Sequence, residues 1–285
     1  MTAREIWRTA IELFRHWQKH DPFQLAAALA YYTIFSLAPL LIIAIAIAGI
    51  VFGHESAQRQ VFETLQELIG PDSAKAIQEI IRGTGNERSG FLAATIGVVV
   101  LLIGAGGVVG QLQVSLNKVW EIEPNPTAGW WDVVRSRFLS YALVLGIGFL
   151  LLVSLMVTAV LSAISRFVSA LVPALALLWP FIDMVISFSF ITVLFAIIYK
   201  VLPDVDVPWK DVWIGAAITS VLFSFGKLAI GLYLGQSSIS SSYGAAGSVV
   251  TILLWVYYSA LIFFFGAEFT RYYSIQCGSG RPSKH

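Results

Sequence analysis

The sequence predicts an all-α, polytopic membrane protein with six transmembrane helices, an N-terminal interfacial helix and short amphipathic helices on its outer face. Of its 285 residues, 57% are hydrophobic and 12% are charged, whereas globular domains average roughly 25% charged residues. Too few polar side chains are present to cover a soluble domain of this size. The chain also contains six apolar stretches that are long enough, at about 1.5 Å of rise per residue, to cross a hydrocarbon core of roughly 30 Å.

The first element, over residues 1–20, is predicted to be an amphipathic helix that does not cross the membrane. Its large apolar residues share one helical face: Ile6, Trp7, Ala10, Phe14 and Trp17. Its charged residues lie opposite: Arg8, Glu12, Arg15 and Lys19. Basic residues opposite tryptophans favour a helix in the lipid headgroup region. Packing on the cytoplasmic face of the protein itself is the alternative.

The membrane domain is predicted over residues 21–273, and residues 274–285 form a tail. The spans are expected at about 25–52, 91–114, 138–161, 179–199, 212–234 and 245–268. In the first span Pro39 removes an intrahelical hydrogen bond, so a kink is expected near Ser36, whose hydroxyl would bond the freed carbonyl. The kink serves either as a hinge or only for packing. Residues 53–90 predict two short amphipathic helices, separated at Gly70-Pro71.

The second span contains a GxxxG pair, Gly106 and Gly110, which permits close approach of a neighbouring helix. The neighbour is expected within the same chain, and a homo-oligomer through this face is the alternative.

The distribution of lysine and arginine predicts that both termini are cytoplasmic. Twelve of the 18 lie in the segments on the side of the N-terminus, five lie on the opposite side, and Lys227 lies inside a span. Cytoplasmic segments carry such an excess of basic residues.

Lys227 in the fifth span is the main candidate site residue. One helical face of this span carries small and polar residues, here called the Lys227 stripe: Ala216, Ser220, Ser224, Lys227 and Gly231. An ionisable residue inside a span marks a functional site by default. The alternatives are a structural ion pair with Asp183, which enters the preceding span from the outer side, and extension of the lysine to the outer headgroups.

The last span carries a second line of polar and aromatic residues, the Ser248 stripe: Ser248, Thr251, Trp255, Tyr258 and Ser259. Residues 235–244 are rich in serine and glycine and short, so the two striped helices are expected to be antiparallel neighbours. We expect them to line a cavity open to the outer side, with Gly244 and Gly247 as hinge candidates. Glu268 and Arg271 are expected to form a solvated pair at the cytoplasmic end.

Several motifs at matching spacing resemble the YihY/BrkB family over residues 20–273. They are Ala26–Leu41 (AAALAYYTIFSLAPLL), Leu116–Trp120 (LNKVW), Leu202-Pro203, Val207–Trp209 (VPW), Phe225–Lys227 (FGK), Tyr243–Gly247 (YGAAG), Trp255–Tyr258 (WVYY) and Gly266–Glu268 (GAE). The resemblance implies a bacterial inner-membrane protein with six spans, so the short outer helices would be periplasmic. Lys227, Glu268, Asn117 and Pro39 occupy motif positions, whereas Asp183 occupies none.

Members of this family have been labelled ribonuclease BN and also virulence or serum-resistance factors, and the residues argue against a nuclease. Metal-dependent phosphodiester hydrolysis needs converging histidines and carboxylates. The four histidines, His16, His20, His54 and His285, are expected on opposite sides of the membrane or at the terminus. The chain also lacks a P-loop and an HExxH motif, and its net charge of +1 favours no nucleic-acid partner.

The sequence therefore favours a protein that is not an enzyme and uses no metal or cofactor, with membrane lipids as partners. It is interpreted as a transporter or exporter of an anionic or amphipathic, lipid-like solute through a polar cavity between helices. A non-transporting envelope or scaffold protein, whose stripes only hold helices together, is the alternative.

Overall fold

The described residues of a computed structural model are 3–69, 71, 74–75, 77–79, 106–122, 179–236, 247–276, 278 and 283–284. Nearly all are helical. The helices are α1 (Ala3–Lys19), α2 (Pro22–Phe52), α3 (His54–Ile69), α4 (106–119), α5 (Trp179–Val201), α6 (Trp209–Gln236) and α7 (Gly247–Gln276). Two short strands, β1 (Val205–Asp206) and β2 (Ser283–Lys284), pair antiparallel.

Three of these helices are long and apolar enough to cross a membrane. The stretches are Met184–Val201 in α5, Trp209–Tyr233 in α6 and Val249–Gln276 in α7, and α2 holds a shorter apolar stretch, Pro22–Leu37. The predicted helical membrane class is thereby confirmed. The predicted span at 138–161 and most of that at 91–114 lie outside the described residues. α7 continues to Gln276, eight residues beyond the predicted end of its span, so Glu268 and Arg271 lie within the helix.

The main core forms where α2, α4, α5, α6 and α7 meet, towards the ends at which α1 and the α5–α6 connection lie. Tyr199 of α5 is fully buried there, and its hydroxyl donates to the Phe263 carbonyl of α7 at 2.7 Å. The same hydroxyl lies 3.2 Å from Thr219 Oγ1 of α6. One side chain thus joins three membrane-spanning helices through polar contacts, which cannot be replaced by water in a hydrocarbon interior.

Replacing Tyr199 by phenylalanine should lower the free energy of unfolding by about 1 kcal/mol, the usual net contribution of one hydrogen bond. Unfolding in detergent micelles by increasing dodecyl sulfate measures the change. Tyr233→Phe is the control, because that side chain is 59% exposed and should change nothing. Equal effects of the two substitutions would contradict the role given to the Tyr199 hydroxyl.

Glycines let α6 and α7 approach closely as antiparallel neighbours. A Cβ atom on Gly215 would overlap Thr270, and one on Gly266 would overlap the Thr219 hydroxyl. Three turns further along α6, a Cβ on Gly226 would overlap Ile262 and lie 3.3 Å from Tyr258 Cε1. This part of the α6–α7 interface is therefore in direct contact and does not line a cavity, contrary to the expectation for this helix pair.

The α2 helix runs through Pro39 without a break in its helical assignment. The Ser36 hydroxyl donates to the carbonyls of Tyr32 at 2.9 Å and Thr33 at 3.1 Å. Pro39 has no N–H to donate to the carbonyl of Phe35, which is therefore the carbonyl that Ser36 was predicted to bond. Ser36 bonds two other carbonyls instead, so the predicted acceptor is wrong. The side chain of Pro39 lies outside the described residues.

The strand pair corrects the all-α prediction. It joins residues near the end of the chain to the connection between α5 and α6, with Val205 opposite Lys284 and Asp206 opposite Ser283. Two prolines, Pro203 and Pro208, flank β1 and disfavour helix in the residues that precede them, which leaves an extended segment with backbone groups free to pair.

The α1 helix packs on the chain itself and also leaves an apolar face uncovered. Trp17 is buried and meets Phe265 of α7 and Phe23 of α2, with ring centroids 5.8 and 5.5 Å apart. Trp7 and Phe14 are 70% and 47% exposed. The predicted apolar face is thus divided: its Trp17 end contacts protein, while its Trp7 end is open.

Candidate functional site

The largest group of interacting charged side chains among the described residues lies where the end of α1 meets α4 and α7. We call this region the charged end. Its centre is a ring of four residues, namely Glu121, His20, Glu268 and Arg271. Two members of the ring follow helix ends, since α1 ends at Lys19 just before His20 and α4 ends at residue 119 just before Glu121. The other two, Glu268 and Arg271, lie one turn apart on one face of α7.

Each member of the ring contacts the next. His20 Nδ1 lies 2.9 Å from Glu268 Oε2, and His20 Nε2 lies 3.4 Å from Glu121 Oε1. On the other side, Arg271 Nη2 lies 2.6 Å from Glu121 Oε2 and Nη1 lies 3.3 Å from Glu268 Oε1. The His20–Glu121 contact is an ion-pair distance without hydrogen-bond geometry, so Nε2 has no hydrogen-bond partner. The side chains of His20 and Arg271 thus each contact both carboxylates, Glu121 and Glu268.

The two carboxylates of the ring differ sharply in their access to solvent. The Glu268 side chain is 1% exposed and that of Glu121 is 44% exposed. The imidazole of His20 between them is 7% exposed. The expectation of a solvated Glu268–Arg271 pair is therefore wrong as to environment. The two side chains are in contact, but Glu268 is buried and also contacts His20, which the local spacing of α7 does not reveal.

Two further ion pairs join the end of α1 to the end of α4, and each segment supplies one lysine and one carboxylate. Lys19 donates to Glu121 at 3.0 Å, and Lys118 donates to Asp21 at 2.9 Å. Asp21 and Glu121 follow the ends of α1 and α4, and the backbone of each lies in the left-handed region, with φ of 52° and 53°. Glycine or asparagine usually occupies such positions, and a residue with a Cβ there is strained by roughly 1 kcal/mol or more. Acidic residues at both endings place a carboxylate beside the lysine of the other segment.

The hydrogen bond from Lys19 holds the pKa of the Glu121 carboxyl below its ordinary value. Partial burial opposes this shift, and the charge of Arg271 adds to it. A lowered folded-state pKa stabilises the fold above the ordinary glutamate pKa of about 4.3. That stability is lost as the pH falls through the folded-state value.

Glu121→Gln should accordingly destabilise the protein near neutral pH by less than about 1 kcal/mol, since the carboxylate is partly exposed. As the pH falls through the lowered folded-state pKa of Glu121, the stability of the variant should converge on that of the unaltered chain. Thermal unfolding measured across pH 3 to 8 in detergent tests this, and a difference that stays constant over the whole range would contradict it.

A second polar contact at the charged end explains the asparagine of the LNKVW motif. Asn117 Nδ2 donates to Asp204 Oδ2 at 2.6 Å, and its Oδ1 accepts from the backbone N–H of Asp204 at 2.9 Å. Only an amide side chain supplies both a donor and an acceptor in this arrangement. Asn117 thereby fixes the end of α4 to the α5–α6 connection.

The Lys227 stripe changes from buried to open along α6. Ala216 and Ser220 are fully buried, Ser224 is half-buried, and Lys227 is exposed. Gly231 is exposed, and no atom of another described element lies within 4 Å of the position of a Cβ there. The Ser220 and Ser224 hydroxyls donate to backbone carbonyls one turn earlier, each at 2.8 Å. Among the described residues Lys227 has no hydrogen bond or ion pair.

The predicted partners of this stripe are only partly described. The side chains of Asp183 and Ser248, and all of Gly244, lie outside the described residues. Thr251 is buried, Tyr258 is half-buried beside Gly226, and Gly247 is the buried first residue of α7. The indole N–H of Trp255 is buried with no hydrogen-bond partner in the described part of the chain.

The GxxxG pair of α4 lies against the chain itself. Gly106 is buried and Gly110 is half-buried, and a Cβ on the adjacent Gly107 would lie 3.1 Å from Tyr32 Cδ1 of α2. Close approach between α4 and α2 is thus one use of this glycine-rich segment, and a homo-oligomer through it stays a prediction.

The sequence does not reveal His20 as the partner of Glu268, nor Glu121 as the second carboxylate that His20 and Arg271 contact. The described residues contain no group of three or more His, Cys, Asp or Glu side chains that could hold a metal ion. A usable indication was present: His20 precedes the Asp21-Pro22 helix break, which places its side chain at a helix end and not on the outer face of α1.

Comparison with known proteins places the chain among bacterial membrane proteins. A family model described as virulence factor BrkB matches residues 13–285. Relatives named UPF0761 membrane protein occur in Alcanivorax borkumensis (26% identical; 91% of this chain and 58% of the relative), Psychrobacter (26%; 88% and 45%) and Pseudoalteromonas translucida (28%; 86% and 79%). The chain thus spans about half the length of several relatives that it matches. No solved structure matches it.

Proposed function

The chain belongs to the family of virulence factor BrkB, as its motifs predicted, and from this premise of an integral membrane protein we propose that it moves an amphipathic, anionic solute across the bilayer. The proposal includes no chemical reaction and no cofactor. The solute is lipid-like, with an acidic headgroup that Lys227 attracts and an apolar part that stays in contact with the membrane.

The observation that carries this proposal is the change in burial along the Lys227 stripe. Ser220 is fully buried and Gly231 is open, over about 16 Å of helix. The outer half of this face is therefore uncovered, although the glycine contacts close the α6–α7 interface further in. A polar, uncovered helix face within a membrane costs free energy unless it meets polar groups, and a solute headgroup supplies them.

The surroundings of Lys227 favour a solute that approaches from the lipid. Phe225, Leu228 and Leu232 on the same turns of α6 are exposed by 65% or more. An ammonium group among exposed apolar side chains suits a molecule with both a negative charge and a hydrocarbon part.

Vesicles that contain the purified protein and fluorescent phosphatidylglycerol test the proposal. Dithionite, which does not cross the bilayer, should bleach probe from both leaflets when the protein is present, and only the outer leaflet in empty vesicles. Lys227→Met should slow this loss about tenfold, as expected for about 1.4 kcal/mol of lost interaction.

Lys210→Met is the matched control, because this exposed lysine lies on the same helix at its other end. Phosphatidylcholine with the same fluorophore controls for headgroup charge. Traces identical to those of empty vesicles, or no effect of Lys227→Met, would favour the non-transporting scaffold instead.

We place the protein in the bacterial inner membrane with six spans and both termini in the cytoplasm. Support comes from the excess of lysine and arginine in the segments on the side of the termini, twelve against five. A fluorescent protein fused after His285 should be bright, and alkaline phosphatase fused at the same point should be inactive. An active phosphatase fusion would reverse the orientation of the last span.

A further inference from the structure

The ring at the charged end contains a connected path between solvent and a buried acid. It begins at Glu121, which is 44% exposed, passes through His20, and ends at Glu268, which is 1% exposed on a membrane-spanning helix. The two contacts on this path, 3.4 and 2.9 Å, involve different nitrogens of the same imidazole. An imidazole can take up a proton at one nitrogen and release another from the second.

We propose that Glu121, His20 and Glu268 form a proton relay that loads and unloads Glu268 from the solvent beside Glu121. The relay does not depend on the transport function proposed above. In the loading direction, a proton from Glu121 binds His20 Nε2, and the proton on Nδ1 passes to Glu268 Oε2. The imidazole is left as the other tautomer and returns by the reverse transfer.

The charges around the relay are balanced so that one added proton changes the state of the whole group. The groups that face His20 and Glu268 are Lys19 from α1, Glu121 after α4, and Arg271 from α7. With a neutral imidazole the two cations offset the two carboxylates. One bound proton gives the group a net charge of +1.

The ring differs from a purely structural ion pair in two respects. The Nε2 atom of His20 is buried without a hydrogen bond although a carboxylate lies 3.4 Å away, so this contact is free to shorten when a proton arrives. Arg271 contacts both carboxylates and keeps them in place when His20 changes its charge. Ionisable chains of this kind inside membrane proteins serve as proton pathways.

Nuclear magnetic resonance of isotope-labelled histidine rings in detergent micelles tests the relay directly. The chain has only four histidines, and His20→Gln identifies the signal of His20. We expect the ring signals of His20 to depend on pH in the unaltered protein and to depend on it differently in Glu268→Gln, because the imidazole then lacks the carboxylate at Nδ1. The exposed His16 serves as an internal control, since its signals should be the same in both proteins.

A His20 signal that does not change with pH, or that changes identically in Glu268→Gln, would overturn the relay. Should Glu268→Gln fail to fold, Glu268→Asp keeps the charge but withdraws the carboxylate, and a smaller difference from the unaltered protein is expected. The glutamine variant at Glu121 should also alter the response of His20, since it removes the second carboxylate.

Discussion

Replacing Gly266 by alanine should lower the free energy of unfolding by about 3 kcal/mol. The added Cβ would overlap the Thr219 hydroxyl and lie 2.7 Å from the Tyr199 hydroxyl. Both hydroxyls are buried and already hydrogen-bonded, so neither moves without losing a bond, and α6 and α7 must separate. Inserting a methyl group into a close-packed core typically costs 1–3 kcal/mol, and more where the neighbours cannot yield.

Gly231→Ala is the matched control, because the same change on α6 meets nothing within 4 Å. It should leave stability unchanged or raise it slightly, since alanine favours helix by about 1 kcal/mol. Unfolding by dodecyl sulfate in mixed micelles compares the two. A Gly266→Ala variant as stable as Gly231→Ala would show that α6 and α7 are not in close contact at this level.

Replacing Arg271 by methionine should cost about 3–5 kcal/mol, the usual penalty for leaving a buried charge without its partner. Glu268 is 1% exposed and would keep only His20, while Glu121 would keep Lys19 and solvent. Changing both members of the pair, Glu268→Gln with Arg271→Met, removes the uncompensated charge and should be less destabilising than Arg271→Met alone.

Lys118→Met provides the control for loss of a positive charge in the same region. The pair of Lys118 with Asp21 is exposed at both ends, by 41% and 61%, and such pairs contribute less than about 1 kcal/mol. Thermal unfolding in detergent at constant pH measures all three variants. If the double variant were less stable than Arg271→Met, the burial of Glu268 would not be the source of the effect.

The helical membrane class could be predicted from composition because so few charged residues leave no soluble alternative. The positions of α5, α6 and α7 follow from uninterrupted apolar stretches, each of which is a local property of the sequence. The strand pair could not be foreseen, since pairing of Val205–Asp206 with residues at the far end of the chain depends on where the tail lies. The same holds for the α6–α7 contacts, because the sequence shows the glycines but not what faces them.

For the candidate site, the sequence indicated single residues but not their partners. Lys227 stands out because a charge within an apolar stretch is rare, and Glu268 and Arg271 are recognised as neighbours by their spacing. The burial of Glu268 depends on α1 and on the residues after α4, which are distant in the chain. Expectations that needed Asp183, Ser248 or Gly244 fall on groups outside the described residues, so those pairings stay predictions.

The contact between His20 and Glu268 also has a consequence for biogenesis. These residues are 248 positions apart, which at about 5–20 residues per second corresponds to about 12–50 s of synthesis. During that time the end of α1 has emerged from the ribosome, but the carboxylate that it binds has not been made. A nascent chain arrested before α7 therefore leaves His20 without Glu268 and Trp17 without Phe265.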